Sequence, residues 1–181
     1  LQALSADAPN KFEPVEKGLK ISRPEHPKQR ASHVGFDWIG SLTGDFEVTM
    51  SYRDFESKSD RADFTCPRLL IFIPIGGAND SPQHTHSVSS EHRRLADGKE
   101  IIVGGVREPQ ADGTKAWRSD QKPTKRTAGR LRIVRQGKML YYLSAEADSD
   151  NFVFTGSRAA SDAVVNLIAF NLRSESRNSS A

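Results

Sequence analysis

The sequence predicts an all-β protein, an antiparallel β-sandwich of two sheets, from three observations. In residues 129–145, two apolar-rich runs flank the polar pair Gln136 and Gly137, and a glycine in a two-residue loop supplies the positive φ of a tight hairpin turn. In residues 45–52, apolar side chains alternate with polar ones, which is the period of a strand with one solvent-exposed face. No stretch of about ten residues or more has the apolar spacing of a convincing amphipathic helix.

The other elements follow from short apolar segments bounded by Gly, Asp, Asn and Pro, in a number typical of a sandwich or jelly roll. Residues 69–75 are apolar on both faces, which predicts a central strand with Pro74 near its end. Residues 161–170 are the best helix candidate, but their β-branched side chains favour a strand. Residues 109–125 are expected to be mostly loop. The expected strands are residues 19–22, 33–38, 45–52, 69–75, 84–91, 100–106, a short strand around Trp117, 131–134, 139–143, 152–156 and 163–172.

The length and composition of the chain limit its class. At 181 residues it is long enough for one domain with a substantial core. We expect a flexible segment at residues 1–14, a sandwich domain at 15–173 and a disordered tail at 174–181. No run of about 18 apolar residues could span a membrane. The net charge of +3 is too small to indicate a nucleic-acid partner.

The single cysteine and the first residues bear on location and reactivity. Cys66 excludes an internal disulfide, and no histidine and aspartate pattern around it indicates a nucleophile, so we expect a buried, unreactive thiol. One cysteine fits a cytosolic protein and also an exported domain with a large core. Residues 1–10 are small and polar, as expected just after a cleavage site or at a frayed end, and we expect a secreted or periplasmic location.

Four segments together resemble a known family. They are GLKI at 18–21, LTGDFEVT at 42–49, GRLRIVRQG at 129–137, and YYLSAE at 141–146 leading into Asn151 and Phe152. In order and spacing they resemble a family of uncharacterised domains common in planctomycete bacteria, within the concanavalin A-like lectin and glucanase set of jelly rolls. The resemblance covers residues 15–172 and implies two antiparallel sheets, one of them concave. That family has no established catalytic residues, and folds of this kind host lectins, glycosidases and inert spacers alike.

The first candidate site is the acidic run at residues 146–151. Glu146 and Asp148 have the spacing at which carboxylates on one strand point the same way, as in glycosidases of this broad class. The neighbouring residues are typical of a turn, so Asp148 and Asp150 would lie at a strand end, where hard oxygen ligands suit Ca²⁺. A solvated acidic turn is the third interpretation.

The second candidate site is the pair His84 and His86. Two residues apart on a strand, they share one face, and imidazoles are ligands of Zn²⁺ or Ni²⁺. A catalytic zinc site needs a third ligand, which Glu91 or His92 would supply only if the chain folded back. On a concave face the same pair would contact a sugar without a metal, and an ordinary polar strand with neither role is the remaining interpretation.

The third candidate site combines aromatic and arginine side chains. Arg130, Arg132 and Arg135 lie close together in the predicted hairpin, and Arg130 and Arg132 share one face. Guanidinium groups recognise carboxylates, sulfates or phosphates, so an acidic polysaccharide is a candidate partner. In the alternative interpretation, Trp38 and one tyrosine belong to the core and the arginines form a solvated face. The aromatic candidates for stacking on sugar rings are Trp117, Tyr142, Trp38, Phe36 and Tyr141.

These observations predict a non-catalytic module that binds carbohydrate on the concave sheet, with no cofactor unless Ca²⁺ binds at Asp148 and Asp150. The expected ligand-binding residues are His84, His86, Trp117, Tyr142, Arg130 and Arg132. One alternative is a glycoside hydrolase or lyase with two carboxyl groups about 5 to 9 Å apart across a cleft. Its candidate catalytic residues are Glu91, Glu146 and Asp148. The other alternative is a structural or protein-interaction domain of a larger exported protein.

Overall fold

The computed structural model describes residues 2–5, 11–16, 18–22, 31–57, 62–74, 85–110 and 112–175. Every regular element among them is a β-strand, every strand pair is antiparallel, and none of these residues forms a helix of the kind that crosses a bilayer. The predicted all-β, antiparallel class is therefore confirmed. The strands are β1 (Gln2–Ser5), β2 (Lys11–Val15), β3 (Gly18–Ser22), β4 (Ala31–Leu42), β5 (Phe46–Tyr52), β6 (Phe64–Pro74), β7 (Thr85–Leu95), β8 (Glu100–Pro109), β9 (Lys115–Thr124), β10 (Gly129–Gln136), β11 (Met139–Ala145), β12 (Val153–Ala159) and β13 (Val165–Glu175).

Two main sheets share one hydrophobic interior. The large sheet has the order β1-β4-β13-β6-β7-β8-β9, the small sheet has the order β12-β11-β10-β5, and β2 pairs with β3 in a separate ribbon. Phe46 and Val48 pack against this interior and Ile133 is fully buried, as the alternation predicts. The large sheet contributes Leu69, Ile71, Ile73, Val88, Ile102, Val106, Val165 and Ile168 to the interior. The small sheet contributes Leu131, Ile133, Leu140 and Tyr142.

The predicted hairpin is formed by β10 and β11. Its two-residue loop is Gly137 and Lys138, one position later than predicted, because Gln136 still pairs with Met139. Gly137 has a φ of 55°, and its N–H donates to Asp45 Oδ1 at 2.7 Å. The glycine therefore supplies the positive φ expected of it, and the hydrogen bond joins the hairpin to the residue before β5.

The central strand predicted at residues 69–75 is confirmed, since β6 pairs with both β13 and β7. Pro74 is its last residue. Pro67 lies inside β6, where the pairing with β7 is interrupted between Thr65 and Arg68, and a proline has no N–H to donate there. The helix candidate at residues 161–170 is a strand in its second half, because those residues begin β13.

Two regions contain more strand than the sequence predicts. Within the N-terminal segment that we expected to be flexible, β1 pairs with β4 and β2 pairs with β3. Within residues 109–125, expected to be mostly loop, β9 is a ten-residue strand at the edge of the large sheet. An edge strand tolerates charged residues and a proline such as Pro123, because one side of its backbone is unpaired. The apolar alternation on which the prediction depended is therefore weak there.

Candidate functional site

The outer face of the large sheet, opposite the shared interior, forms an open groove of about 610 Å³. Side chains alternate along a strand, so the lining residues occupy every second position of the strands that cross the groove. The lining is strongly charged. It includes the cationic side chains Arg68, Arg93, Arg107, Lys115 and Arg173, the carboxylates Asp37, Glu91 and Glu175, and the side chains of His33, Phe64, Ser89, Trp117 and Asn171.

Glu91 lies on the floor of the groove and is 1% exposed. Arg93 Nε donates to Glu91 Oε2 at 2.6 Å, and the Ser89 hydroxyl donates to Oε1 at 2.8 Å. Arg68 lies directly opposite Glu91 on β6. Burial alone would raise the pKa of the Glu91 carboxyl, but the charges of Arg93 and Arg68 and the two hydrogen bonds hold that pKa below its usual range. Glu91 is therefore ionised at neutral pH and fixes the guanidinium of Arg93.

Three arginines meet around this carboxylate. The guanidinium groups of Arg93 and Arg173 lie 4.4 and 5.3 Å from the centroid of the Phe64 ring. Arg173 also pairs with Glu175, and Arg68 Nε donates to Asn171 Oδ1 at 3.0 Å. Burial lowers the pKa of Arg68, although the charge of Glu91 opposes that shift. The floor of the groove is thus a packed polar cluster held by hydrogen bonds and ring contacts.

Cys66 belongs to the same cluster and is fully buried, as predicted. Its thiol donates to Glu91 Oε2 at 3.8 Å. Burial, and then the negative charge of Glu91, raise the pKa of the thiol. The cysteine therefore stays a neutral thiol, which is the unreactive form.

Trp117 forms the aromatic wall of the groove. Its indole covers Gly105, where a Cβ would lie 2.6 Å from Cζ2 and 2.7 Å from Cη2, so only glycine leaves space for the ring. The Arg93 guanidinium lies 5.9 Å from the Trp117 ring centroid. Arg107 is directly opposite Trp117 in the sheet, is exposed, and forms no hydrogen bond or ion pair with any described residue.

The opposite end of the groove carries Asp37 and His33 on β4. Asp37 Oδ1 is buried and has no hydrogen-bond partner among the described residues. Burial raises the pKa of this carboxyl, and the charge of His33 opposes that shift. Asp37 therefore carries a buried acceptor that no described residue satisfies.

The carboxylates of the groove are far apart. Asp37 lies on β4 and Glu91 on β7, three strand steps away in the large sheet, or about 14 Å at a spacing of 4.8 Å. Glycosidases place their two carboxyl groups about 5 to 9.5 Å apart. The pairing expected of a hydrolase does not occur between these two residues.

The other predicted catalytic and metal residues lie on the turn after β11, away from the groove. Each carboxylate there pairs with a different arginine: Glu146 with Arg126 at 3.6 Å, Asp148 with Arg53 at 2.5 Å, and Asp150 with Arg130 at 2.6 Å. All three are well exposed, in the manner of a solvated acidic turn. Within the described part of the chain, no group of three or more His, Cys, Asp or Glu side chains could hold a metal ion. The structure therefore does not bring Glu91, Glu146 and Asp148 together.

His86 lies on the face of β7 that points away from the groove, and His84 is outside the described residues. Burial lowers the pKa of His86, against the charge of Glu108, and its Nδ1 has no partner among the described residues. His92 shares that face but is six residues further along β7, about 20 Å away, and Glu91 points to the opposite face. The zinc interpretation, which needs Glu91 or His92 beside His86, has no support in this geometry.

His92 instead forms a polar group between the sheets. It is fully buried, its Nδ1 is hydrogen-bonded to the Tyr52 hydroxyl at 2.8 Å, and its Nε2 lies 3.4 Å from Glu100 Oε2. Burial, followed by the charges of Arg126 and Arg94, lowers the pKa of His92 to about 4. The imidazole is therefore neutral at pH 7, and its contact with Glu100 is not an ion pair.

Arg130 and Arg132 share the outer face of the small sheet, as predicted, but that face is remote from the groove. Arg130 pairs with Asp150, and Arg132 pairs with Glu47 at 3.0 Å. Both guanidinium groups also lie over the Phe152 ring, at 5.1 and 3.5 Å from its centroid. The positive charges of Arg130 and Arg132 are therefore largely neutralised by carboxylates of the protein itself.

Tyr142 and Trp38 belong to the interior, as in the alternative interpretation. Tyr142 is fully buried and its ring lies against Gly104. Burial raises the pKa of its hydroxyl. Tyr142 is therefore not accessible to a sugar ring, and Trp38 packs against the same interior.

Of the predicted site residues, the structure brings Glu91 and Trp117 together in the groove. The sequence pattern did not indicate the arginines of the groove, above all Arg68, Arg93 and Arg107. A charged residue such as Arg68 within an apolar central strand is a signal of a special environment, since arginine is rarely buried without a partner. On β7 the signal is hidden because Ser90 and His92 make the interior face polar as well.

The chain resembles one protein family and a solved structure of unknown function. A solved structure titled as a functionally unknown protein from Saccharomyces cerevisiae is 10% identical over 80% of this chain and 91% of its own length. Its TM-score is 0.34. No curated protein matches the sequence. A family model described as the C domain of a protein of unknown function (DUF1583) matches residues 1–181. The chain therefore belongs to the DUF1583 C domain family.

Proposed function

We propose that this domain is a non-catalytic carbohydrate-binding module and that the groove on the large sheet is its binding surface. The observation that carries the proposal is the placement of Trp117, an aromatic ring held over a glycine beside polar and charged side chains. The C–H faces of sugar rings stack on such rings, while their hydroxyl groups need hydrogen-bonding partners nearby.

The polar lining supplies those partners. Arg107 is exposed and presents N–H donors that no described residue engages, and the carboxyl group of Asp37, one oxygen of which is buried, lines the opposite end of the groove. An open groove along a sheet fits an extended chain of sugars better than a compact small molecule, because its lining runs across several strands, from β4 to β9. The predicted concanavalin A-like jelly roll and the predicted location outside the cytoplasm agree with this role, and both remain predictions.

The charged floor of the groove argues for binding rather than hydrolysis. Glu91 is held ionised by Arg93 and Arg68, so it cannot act as the protonated acid that a glycosidase needs. Asp37 has the raised pKa of an acid, but it lies about 14 Å from Glu91 across three strand steps. The third carboxylate of the described lining, Glu175, is paired with Arg173.

The test is isothermal titration calorimetry with a panel of oligosaccharides: cellohexaose, dextran and oligogalacturonate. Wild type is compared with Trp117→Ala and with Phe154→Ala, which removes an aromatic side chain that is 50% exposed on β12, outside the groove. We expect binding of at least one sugar, weakened about tenfold or more by Trp117→Ala and unchanged by Phe154→Ala.

Other outcomes would count against the proposal. If no sugar binds, the domain is better explained as a structural or protein-interaction unit. If new reducing ends accumulate during incubation with a bound sugar, the domain is a hydrolase. Equal losses in the two variants would place the binding surface elsewhere.

A further inference from the structure

Cationic side chains outnumber carboxylates in the described lining of the groove. That lining contains five cationic side chains and three carboxylates, with His33 counted as neutral. Glu91 is committed to Arg93, and Glu175 is paired with Arg173. Asp37 lies on β4, four strand steps or about 19 Å from Arg107 on β8, so its charge is screened from that arginine. On the side of the groove formed by β8 and β9, Arg107 therefore has no counter-charge among the described residues.

Arg107 is the cation on that side that is open to a ligand. It is exposed and has no hydrogen bond or ion pair to any described residue. By contrast, the arginines on the floor of the groove are held by Glu91, Asn171 and Glu175.

Arg107 and Trp117 face each other across neighbouring strands. The Cβ atoms of directly opposite residues are about 5 Å apart, comparable with the width of one sugar ring. A ring stacked on the Trp117 indole would therefore carry its substituents within reach of the Arg107 guanidinium. A guanidinium binds carboxylate and sulfate groups through two parallel hydrogen bonds, which fix their orientation.

We propose that the saccharide bound in the groove is anionic, and that Arg107 binds its carboxylate or sulfate group while Trp117 stacks on the same sugar ring. This inference rests on the proposed carbohydrate-binding function and names the ligand class. It also assigns anion recognition to the large sheet. Arg130 and Arg132, the arginines that the sequence favoured for that role, are paired with Asp150 and Glu47 on the opposite side of the molecule.

The experiment measures the affinity of the folded domain for three soluble polymers: neutral dextran, oligogalacturonate, which carries carboxylates, and dextran sulfate. The variants are Arg107→Gln, Arg107→Lys and Lys138→Gln. Lys138 is 73% exposed and lies on the hairpin loop outside the groove. Its variant therefore removes one positive charge, as Arg107→Gln does, but outside the proposed binding surface. Circular dichroism of each variant establishes that it is folded.

We expect at least one anionic polymer to bind more tightly than dextran. Arg107→Gln should weaken that binding about tenfold or more, Arg107→Lys should weaken it less, and Lys138→Gln should change it less than about twofold. The relative losses for oligogalacturonate and dextran sulfate identify the carboxylate or the sulfate as the natural group.

Three results would overturn the inference. If dextran binds as tightly as the anionic polymers, and binding depends on Trp117 but not on Arg107, the carbohydrate-binding function stands and the anionic ligand class is wrong. If Arg107→Gln and Lys138→Gln have equal effects, the binding is a general response to net charge. If none of the polymers binds, the proposed function fails and the ligand class fails with it.

Discussion

The outer faces of the two sheets present the same pair of residue types in opposite settings. On the large sheet, Arg93 and Arg173 lie over the ring of Phe64. On the small sheet, Arg130 and Arg132 lie over a different phenylalanine. The carboxylates that neutralise them differ in burial. Glu91 is 1% exposed, whereas the partners of the small-sheet arginines are at least half exposed. Burial, rather than residue type, therefore decides which arginine cluster is a rigid part of the fold.

The largest expected effect comes from removing the buried carboxylate. Glu91→Ala leaves Arg93 and Arg68 in the floor of the groove without their counter-charge, and we expect the free energy of unfolding to fall by about 3–5 kcal/mol. Glu47→Ala, which removes the partner of Arg132 on the small sheet, should cost no more than about 1 kcal/mol. Urea unfolding at pH 7 measures both. Similar losses in the two variants would break the comparison.

The next largest effect is the pH dependence of stability, which we attribute to a histidine in the interior between the two sheets. His92 has a pKa of about 4 in the folded protein, below the value of about 6.5 in an unfolded chain, so the unfolded state binds the extra proton first. The stability that neutral His92 contributes is complete above pH 6.5 and is lost as the pH falls towards 4, by about 3 kcal/mol. Unfolding measured from pH 7 to 4 should show this loss in wild type and a smaller one in His92→Gln.

Exposed His33, in the groove, is the control for loss of one imidazole, because His33→Gln leaves buried His92 in place and should keep more of the wild-type pH dependence than His92→Gln. The low pKa of Glu91 adds a further loss at acid pH that wild type and both variants share, so their difference isolates His92. A His92→Gln variant with the full wild-type loss would show that the buried imidazole does not control acid stability.

A third effect compares the two faces of one strand. Gly104 lies under the Tyr142 ring on the interior face of β8, and Gly105 lies under the Trp117 ring on the groove face. Gly104→Ala should destabilise the protein by about 3 kcal/mol, because Tyr142 is enclosed on all sides. Gly105→Ala should cost less, about 2 kcal/mol, because the partly exposed indole can move although the new Cβ also lies 2.8 Å from the Arg118 backbone oxygen. Thermal unfolding and tryptophan fluorescence check both expectations.

Two results would contradict this comparison of Gly104→Ala with Gly105→Ala. If Gly105→Ala is the more damaging change, the groove face of β8, with the Trp117 indole and the Arg118 backbone oxygen, is packed as rigidly as the interior face. If it leaves the tryptophan emission unchanged, the indole does not lie against that glycine.

The smallest effect is expected on the small sheet. Arg130→Ala removes an arginine whose partner Asp150 is 92% exposed, so stability should change by no more than about 1 kcal/mol and sugar affinity should not change. Urea unfolding and the titration with oligogalacturonate measure the two quantities. A loss of sugar binding in Arg130→Ala would move the site to the face that the sequence first favoured.

Much of the fold could be predicted because alternation reports which face of a strand is buried. Phe46, Val48 and Ile133 behave as predicted for that reason. Arg135 shows both the success and the limit. Its position in the alternation puts it on the same face as Ile133, and it is buried there, donating to the carbonyls of Gly44 and Ala163. We grouped it with solvated arginines because arginine is usually exposed.

The site could be predicted only in part, since its residues meet through strand order rather than through sequence spacing. Trp117 and Glu91 were identified because their residue types suit binding and catalysis. Arg107 became significant only when β8 and β9 were paired and placed it opposite Trp117. Tyr142 looked equally suitable, but its face of β11 points to the interior.

The most direct test uses the two tryptophans of the chain as internal reporters. In a ¹H–¹⁵N NMR titration with oligogalacturonate, each indole N–H gives its own signal, one from Trp117 in the groove and one from Trp38 against the interior. A saccharide bound in the groove should shift the Trp117 indole signal in a saturable manner and leave that of Trp38 in place. If a bound saccharide shifts instead the amides of Arg130 and Arg132 and leaves the Trp117 indole unchanged, the groove is not the binding surface.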